Sequence, residues 1–543
     1  MTISPLNFSP DNSERRLRQR LIEAAAARLA CGELSGDFLQ EVIAEVNCSA
    51  ERAAAFFRNG DDLVFALYAR FAGDLEARVA ELPEDTLSER FYALMKIKFA
   101  LMKPYEKALG GLAETLAHQQ GELGILSPQT EIIRLRVQAV LAATVQGATD
   151  YRGSSADAIS RNLYTTYLGL MWLWYKDHSK EKQKARAALK LVRKTLSFAA
   201  PVLNLPQFEF PIKAFDKIQQ SLLLPKEDGV GAERAREILL CLFKHRRLLP
   251  DFHLCEKTPC AQCGVLHLPK IKYFIAANRP IHLILPAFPA KSPNPRKTLG
   301  ILPDKAEEQA LLYLEKVCAE LCRRHAPGVR LTICSDGHVF SDLVGVSDND
   351  VTLYGQKIRE MLARPSEARV RVIDTFSLTD LYENIDYPAM RRHLVKEYAQ
   401  PLEEIRQKAA EFMQTKALVN GIHRFLFEDQ VVLQSERSRT KIRDECRELA
   451  YRVVQRSDAW GRLLADCFPF ALRLSIHPQH PHSDKIGILL GPASDVWLTP
   501  WHAVAVEQNG RFGLMQRHEA ESLGAQLVEE NGSASHYRLD IRH

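Results

Sequence analysis

The chain has 543 residues, 46% hydrophobic and 26% charged, with 72 Lys and Arg against 67 Asp and Glu for a net charge of +5. That length predicts two or three domains, the composition is that of a globular protein, and so small a net charge excludes a general polyanion binder. No basic-then-apolar leader or membrane-length apolar run is present, and the 11 cysteines are scattered, so the expectation is a cytoplasmic protein with reduced thiols and no membrane partner.

Residues 1–12 read as a leader, and helical periodicity covers 15–30. Short helices are predicted at 38–46, 49–57 and 61–71, and amphipathic ones near 87–120, 129–147, 157–176 and 180–197. The stretch EVIAEVNCSAERAAAFFRNGDDLVFALYARF resembles the helix-turn-helix start of TetR-type regulators. In that resemblance Ser49 opens the recognition helix, Phe56 and Phe57 are its aromatic pair, and Leu63 belongs to the linking helix. It implies an all-α TetR-like domain over 1–200 with its helix-turn-helix-like start at 13–72. Groove-reading helices need Arg, Lys, Asn or Gln, yet Ala50, Glu51, Arg52, Ala53, Ala54 and Ala55 offer one Arg beside a Glu. No specific DNA is therefore expected, and the domain is assigned to homodimerisation or to docking another protein.

A basic run from Lys176 through Lys182, Arg186 and Lys190 to Lys194 reads as a solvated helix face. Pro201, Pro206 and Pro211 mark a linker at 201–211, leaving 212–543 as a second domain. Helices are predicted at 212–223 and 231–247, ahead of the segment FHLCEKTPCAQCGVLH. Cys255, Cys260, Cys263 and His267 there have the composition of a Cys₃His zinc set, with Cys260 and Cys263 at metal-turn spacing. A single CxxC leaves structural zinc and packed, reduced thiols both open, and no metal or other cofactor is required by the chemistry below.

From 281 the pattern becomes strand, loop, helix, strand. Residues 281–286 are an apolar run, 291–300 a loop with Lys291, Ser292, Asn294, Arg296 and Lys297, and Asp304 with Glu307 a capping-box-like helix start. A second strand at 329–334 ends in Ser335, Asp336, Gly337 and His338, and a third at 370–373 ends in Asp374. Right-handed crossovers place such strands in parallel, so Lys291, Asp336 and Asp374 should meet at the carboxyl rim, where open α/β sheets bind ligands. A long helix is predicted at 387–416, with others at 420–429 and 441–460. Strands at 470–477 and 485–490, with a hairpin through Asn509-Gly510, predict a C-terminal antiparallel layer bearing Arg473, His477, Lys485 and His502. The fold class expected is thus multidomain, all-α followed by α/β with a mainly parallel sheet and this added layer. GxGxxG after a strand, P-loop, GxSxG and HExxH motifs are lacking, which removes the usual support for nicotinamide, ATP, serine-hydrolase and thermolysin-type chemistry.

The motifs PAFPAKSPNPRKTLGILPD, SDGHVFSDLVGVSD, GIHRFLFED, QRSDAW, LRLSIHPQ and TPWH resemble the isonitrile (isocyanide) synthase family over roughly residues 210–543. That family includes tyrosine and tryptophan isonitrile synthases and fungal dityrosine-pathway proteins. The resemblance implies a secondary-metabolic enzyme. The α-amine of an L-amino acid, Tyr or Trp, would condense with the ketone of ribulose 5-phosphate, and carbon–carbon cleavage would leave one carbon on nitrogen as the isonitrile. Such chemistry asks for a phosphate clamp, for which Lys297, Arg473 and Lys485 are the candidates. Lys291, Asp336 and His477 are the acid/base candidates, with Lys291 a Schiff-base former if neighbouring cations lower its pKa. Arg424 and Arg456 are candidates for the carboxylate, and Ser292, Asn294, His338 and His502 for further substrate contacts. Two rivals stay open: a TetR-like regulator whose C-terminal half senses a metabolite, and a sugar-phosphate lyase or aldolase needing no amine.

Overall fold

A computed structural model describes residues 12–31, 37–54, 56–107, 109, 127, 130–151, 156–203, 214, 229–252, 255, 258–364, 372–382, 385–411, 413–530 and 532–539. The N-terminal half is helical: α1 (Asn12–Cys31), α2 (Phe38–Val46), α3 (Ala50–Ala54), α4 (Gly60–Ala77), α5 (Leu87–Met102), α6 (Glu131–Gln146), α7 (Ala156–Lys176) and α8 (Gln183–Leu203). Asn47, left-handed at φ 53°, closes α2, and the Asn59 side chain caps α4 by accepting from the Asp62 amide. Leu21, Phe38, Phe57, Leu63, Phe91 and Val140 share one core. α3 is a single short turn whose Glu51 and Arg52 face outward while Ala53 is buried. In the basic run Lys182 is buried, donating to the Asp177 carbonyl at 2.7 Å and lying over the Trp174 ring. α8 continues through Pro201 to Leu203, so the expected linker begins as helix; positions 204–213 lie outside the described residues.

The second half starts with α9 (Gly229–Phe243) and α10 (Leu268–Ala276) and then builds a five-stranded sheet. Its strands are β1 (Ile281–Pro286), β2 (Val329–Ser335), β3 (Ile373–Ser377), β4 (Leu472–Ser475) and β5 (Lys485–Gly487), in the order β3-β2-β1-β4-β5. All its neighbours run parallel. Between them lie α11 (Lys305–Cys322), α12 (Gly337–Val344), α13 (Asp348–Ala363), α14 (Tyr387–Tyr398), α15 (Leu402–Glu411), α16 (Met413–Leu433) and α17 (Arg439–Cys467). The strands are nearly continuous apolar runs because both faces are covered: Leu283 and Leu285 pack with α11, whereas Ile284 packs with Trp460 of α17.

Three expectations are corrected. β4 and β5 do not form an antiparallel layer; they extend the parallel sheet, with Arg473 in register with Lys485. Their connection is no tight turn but a crossing held by Gln479, which exchanges backbone hydrogen bonds of 3.1 Å with Arg247 and Leu249. β3 spans 373–377, so Asp374 sits inside the strand paired to Arg330 and not at the rim. The helix predicted at 387–416 breaks before Pro401, which cannot supply the required donor.

A second, mixed sheet has the order β7-β6-β9-β8, from β6 (Val504–Gln508), β7 (Arg511–Met515), β8 (Gln526–Glu530) and β9 (Ser533–Arg538), with α18 (Arg517–Ser522) between β7 and β8. Its β6–β7 hairpin turns at Asn509 and Gly510, both at positive φ as a tight two-residue turn demands. Among the described residues no helix is long and apolar enough to cross a membrane.

The two halves are joined by buried charge. Arg136 of α6 donates to Glu76 of α4 at 2.7 and 2.8 Å and to the Pro469 carbonyl at 3.1 Å, while Lys270 of α10 reaches Glu76 at 2.9 Å. Arg70 clasps Asp466 of α17, and Arg18 donates to the Asp466 carbonyl. Ala69 and Ile132 of the helical half enter the sheet's core. Burial alone would raise the Glu76 carboxyl, but Arg136 and Lys270 hold it at about 2. A depressed carboxyl contributes stability that is present above its unfolded pKa and is lost as pH falls through the folded one. Melting temperature should therefore drop on acidification from about 4.5 toward about 2, and Glu76→Gln should flatten this dependence. Arg136→Ala, which leaves Glu76 short of a partner, should cost roughly 3–5 kcal/mol by denaturant titration at neutral pH.

Candidate active site

The carboxyl end of β1 runs into a loop whose polar side chains turn inward. Phe288, at φ 56°, packs on Trp501, and the Ser292 amide donates to the Trp501 carbonyl at 2.9 Å. This draws Lys291 into the core, where its side chain is 0% exposed and lies 2.9 Å from Asp304, 2.8 Å from Glu307 and 3.1 Å from the Pro500 carbonyl. Burial by itself would lower the Lys291 amine; Glu307 and Asp304 reverse this and hold it above its ordinary range. One ammonium serves two carboxylates, so burial pushes Glu307 above the usual carboxyl range despite Lys291. Asp304 and Glu307 also form the capping box of α11, tying that helix to the β1 loop. The expected low-pKa, Schiff-base lysine is thus corrected: Lys291 has carboxylates for neighbours, where amine activation needs cations.

Beyond Lys291 the loop is organised on Asp429 of α16. Ser292 Oγ and Asn294 Nδ2 each donate to its carboxylate at 3.0 Å, and Lys297 Nζ lies 2.7 Å away, over the Phe425 ring. Phe425 packs edge-on against His502, centroids 4.7 Å apart. Burial pushes His502 down to about 3; among its neighbours Asp429 opposes this while Lys297, His477 and Lys291 add to it. Loop, helix and the 500–502 turn therefore converge.

Asp336 follows β2 and precedes α12, but its side chain makes no capping hydrogen bond and Oδ1 has no partner. Burial raises its carboxyl to about 7. The next residue must be glycine, because a Cβ at Gly337 would collide with the Pro289 carbonyl oxygen. After β4, His477 is exposed, and desolvation by surrounding protein, then Arg247 and Lys485, lowers its imidazole below the ordinary range. At neutral pH both His477 and His502 are therefore neutral imidazoles, able to accept hydrogen bonds. Arg473 and Lys485 stand side by side on β4 and β5, and among the described residues neither has a carboxylate within ion-pair distance. Lys485 is depressed first by Arg473 and then by burial. Gly461 of α17 leaves the room that the Arg473 guanidinium fills.

Other candidates lie elsewhere. The His338 ring stacks on Tyr387 at 4.2 Å and hydrogen-bonds Thr352, fastening α12 to α13 and α14. Arg456 grips Asp342 through both nitrogens and donates to the Val339 carbonyl, so it ties α17 to α12. The Arg424 side chain is 83% exposed beside Glu428. Asp429, Glu307 and Arg247 were not foreseen as site residues. Asp429 closes the motif GIHRFLFED, but its partners are more than a hundred positions away. Two surface depressions, one against Tyr313 and Phe512 and one against Arg406 and His423, lie apart from this cluster.

The truncation of Lys291 tests its structural position. Although the sequence places it on a polar loop where removal should hardly affect melting, Lys291→Ala would leave two buried carboxylates without their cation. Loss of roughly 3 kcal/mol or more is expected in denaturant unfolding at pH 8, shrinking at lower pH where Glu307 can take up a proton. A melt matching the parent protein would show that Lys291 is not the tie described.

Comparison with known proteins identifies the family. Residues 271–528 match the family model described as pyoverdine/dityrosine biosynthesis protein. The chain is 48% identical over 303 residues to the L-tryptophan isonitrile synthase AmbI2 of Fischerella ambigua, covering 56% of this chain and 91% of that protein. It is 42% identical over 322 residues to the L-tyrosine isonitrile synthase of Pseudomonas aeruginosa, covering 58% and 96%. The crystal structure of the PvcA protein from Pseudomonas aeruginosa superimposes with a TM-score of 0.52 at 41% identity, covering 56% of this chain and 99% of that one. With nine-tenths of such relatives matched, and with their match falling on the sheet that carries Lys291, Asp336 and His477, the chain belongs to the isonitrile synthase family of enzymes.

Proposed function

We propose that this enzyme converts the α-amine of an aromatic L-amino acid, tryptophan or tyrosine, to an isonitrile, with the ketone carbon of ribulose 5-phosphate as the one-carbon source, within secondary metabolism. The observation that carries the reading is the side-by-side placement of Arg473 and Lys485, which form no ion pair among the described residues, with His477 nearby. Adjacent cations without acidic partners suit a phosphate dianion, which both can contact at once. The relatives named for tryptophan and tyrosine supply the amine class.

In this reading Arg473 and Lys485 hold the phosphate and so place the ketone. Asp336, poised at about 7, gives a proton to the ketone oxygen as the amine adds and water departs. His477, whose imidazole is depressed in part by Arg247 and Lys485, takes the protons released from the amine nitrogen and from carbon once the bound phosphate offsets those cations, and neutral His502 orients the substrate by hydrogen bonding. Lys297 and Asp429 keep His502 and the 291–297 loop in register.

The decisive experiment supplies ribulose 5-phosphate isotope-labelled at its ketone carbon together with L-tryptophan or L-tyrosine, and follows products by mass spectrometry. Label is expected in an isonitrile made from at least one of them. Sugar cleavage that proceeds without any amino acid would favour the lyase reading instead. Asp336→Asn should fold as the parent does yet lose about 10²–10⁴-fold in turnover. The fall of kcat/KM as pH rises through about 7 should also vanish in that variant. Arg473→Met should raise KM for ribulose 5-phosphate by roughly 10- to 100-fold, the worth of one charge-assisted hydrogen bond, and leave KM for the amino acid nearly unchanged.

A further inference from the structure

Three cysteines ahead of the family-matched segment meet a histidine from within it. Cys255, Cys260 and Cys263 occupy the stretch between α9 and α10, and His482 belongs to the β4–β5 connection. Cys260 Sγ lies 3.5 Å from Cys263 Sγ and 3.3 Å from His482 Nε2, and one ligand atom from each of the four residues falls within 4.8 Å of every other. We propose that Cys255, Cys260, Cys263 and His482 form a structural zinc site that clamps the β4–β5 connection to the α9–α10 segment.

Zinc bonds of about 2.3 Å to sulfur and 2.0–2.1 Å to nitrogen in a tetrahedron require ligand–ligand edges of roughly 3.5–3.8 Å, near the 3.5 and 3.3 Å that Cys260 makes with Cys263 and His482. The thiols are all free. The Cys260–Cys263 separation of 3.5 Å is far from the disulfide bond length of about 2.0 Å. The spacing of the three cysteines also occurs in plant-type iron–sulfur proteins, but such clusters spread their ligands over two irons. Four atoms this close can converge only on a single ion.

A second observation comes from the charge beside the ligands. Arg246 is 4% exposed and, among the described residues, forms no ion pair with a carboxylate; the group lies over the Phe243 ring, turned toward the Cys263 thiol and within electrostatic reach of His482. A buried cation without an acidic partner is costly. Three thiolates, one neutral imidazole and one zinc ion sum to a single negative charge, which is the counterion Arg246 lacks.

The sequence names His267 as the fourth ligand, and the structure replaces it. His267 is 2% exposed, edge-on to Phe243 in the core and outside the sulfur cluster. His482 follows His477 by one short loop, so the ion would anchor the connection on which His477 depends, with no part in the chemistry itself.

The test is the metal content of the full-length chain, produced without a polyhistidine tag and measured by plasma mass spectrometry. About one zinc per chain is expected, and cobalt substituted for it should give thiolate charge-transfer bands and the visible bands of a tetrahedral site. Cys260→Ser and His482→Ala should each fall well below that stoichiometry, while Cys322→Ser, outside the cluster, should retain it. If the variants do not fold, the stoichiometry and cobalt spectrum of the parent protein still decide. Parent protein that neither carries zinc nor takes it up under reducing conditions, or that carries iron with an iron–sulfur spectrum, would overturn the proposal. So would zinc that stays when Cys260 and His482 are replaced together.

Discussion

The arrangement at the rim depends on one buried ammonium. Lys291 Nζ holds Asp304 and Glu307 from the first turn of α11 and the Pro500 carbonyl from the turn before β6. Three segments far apart in the chain are thereby set around the end of β1. An isolated carboxylate of this kind would be intolerable inside a protein, and a lysine without it equally so. Because each charge needs the other, the loop after β1 has one place to go. Ser292, Asn294 and Lys297 then fall on Asp429, and His502 is carried in beside them.

Around this tie, charge is sorted. Cations that have carboxylate partners, such as Lys291, Lys297, Arg456 and Arg136, are positioned by them and act as joints between elements. Among the described residues Arg473 and Lys485 are in no ion pair, and repulsion from Arg473 weakens the Lys485 ammonium despite Asp484, Asp458 and Glu81. Asp336 has the opposite character, a carboxyl left without a cation and therefore held near neutrality. Sites that move protons at physiological pH are made by such imbalances.

The helical half is fastened to this unit through Glu76 and Asp466, each buried and each paired with arginine. Both halves contribute residues to one core, with Ala69 and Ile132 beside the sheet's aliphatics and Phe65 against Phe470. The helical half therefore meets the sheet-bearing half across a packed face. The β4–β5 connection is held in a similar manner at a different point, by Gln479 against Arg247 and Leu249 and by the sulfur–imidazole cluster at His482.

Local chemistry was enough to read much of this chain. Apolar runs at 281–286 and 329–334, the capping box at Asp304 and Glu307, and Asn509-Gly510 each encode their conformation within a few residues, and the structure reproduces them. Of the polar residues expected at the rim, Lys291 and Asp336 follow the ends of β1 and β2, whereas Asp374 lies inside β3. What each does was not legible locally. Whether Lys291 is a nucleophile or a tie depends on Glu307 and Pro500 arriving beside it. Whether Arg456 meets substrate depends on Asp342, more than a hundred positions away. The fourth member of the cysteine cluster changed from His267 to His482 for the same reason: three ligands are local, and the last comes from a strand connection placed by the sheet. Direction of strand pairing was likewise beyond local pattern, because β4 and β5 look alike whether their connection turns or crosses. Side-chain period and capping are determined over a turn or two of backbone, whereas protonation state, pairing and ligand sets depend on which distant groups share a low-dielectric space, and only the tertiary structure decides that.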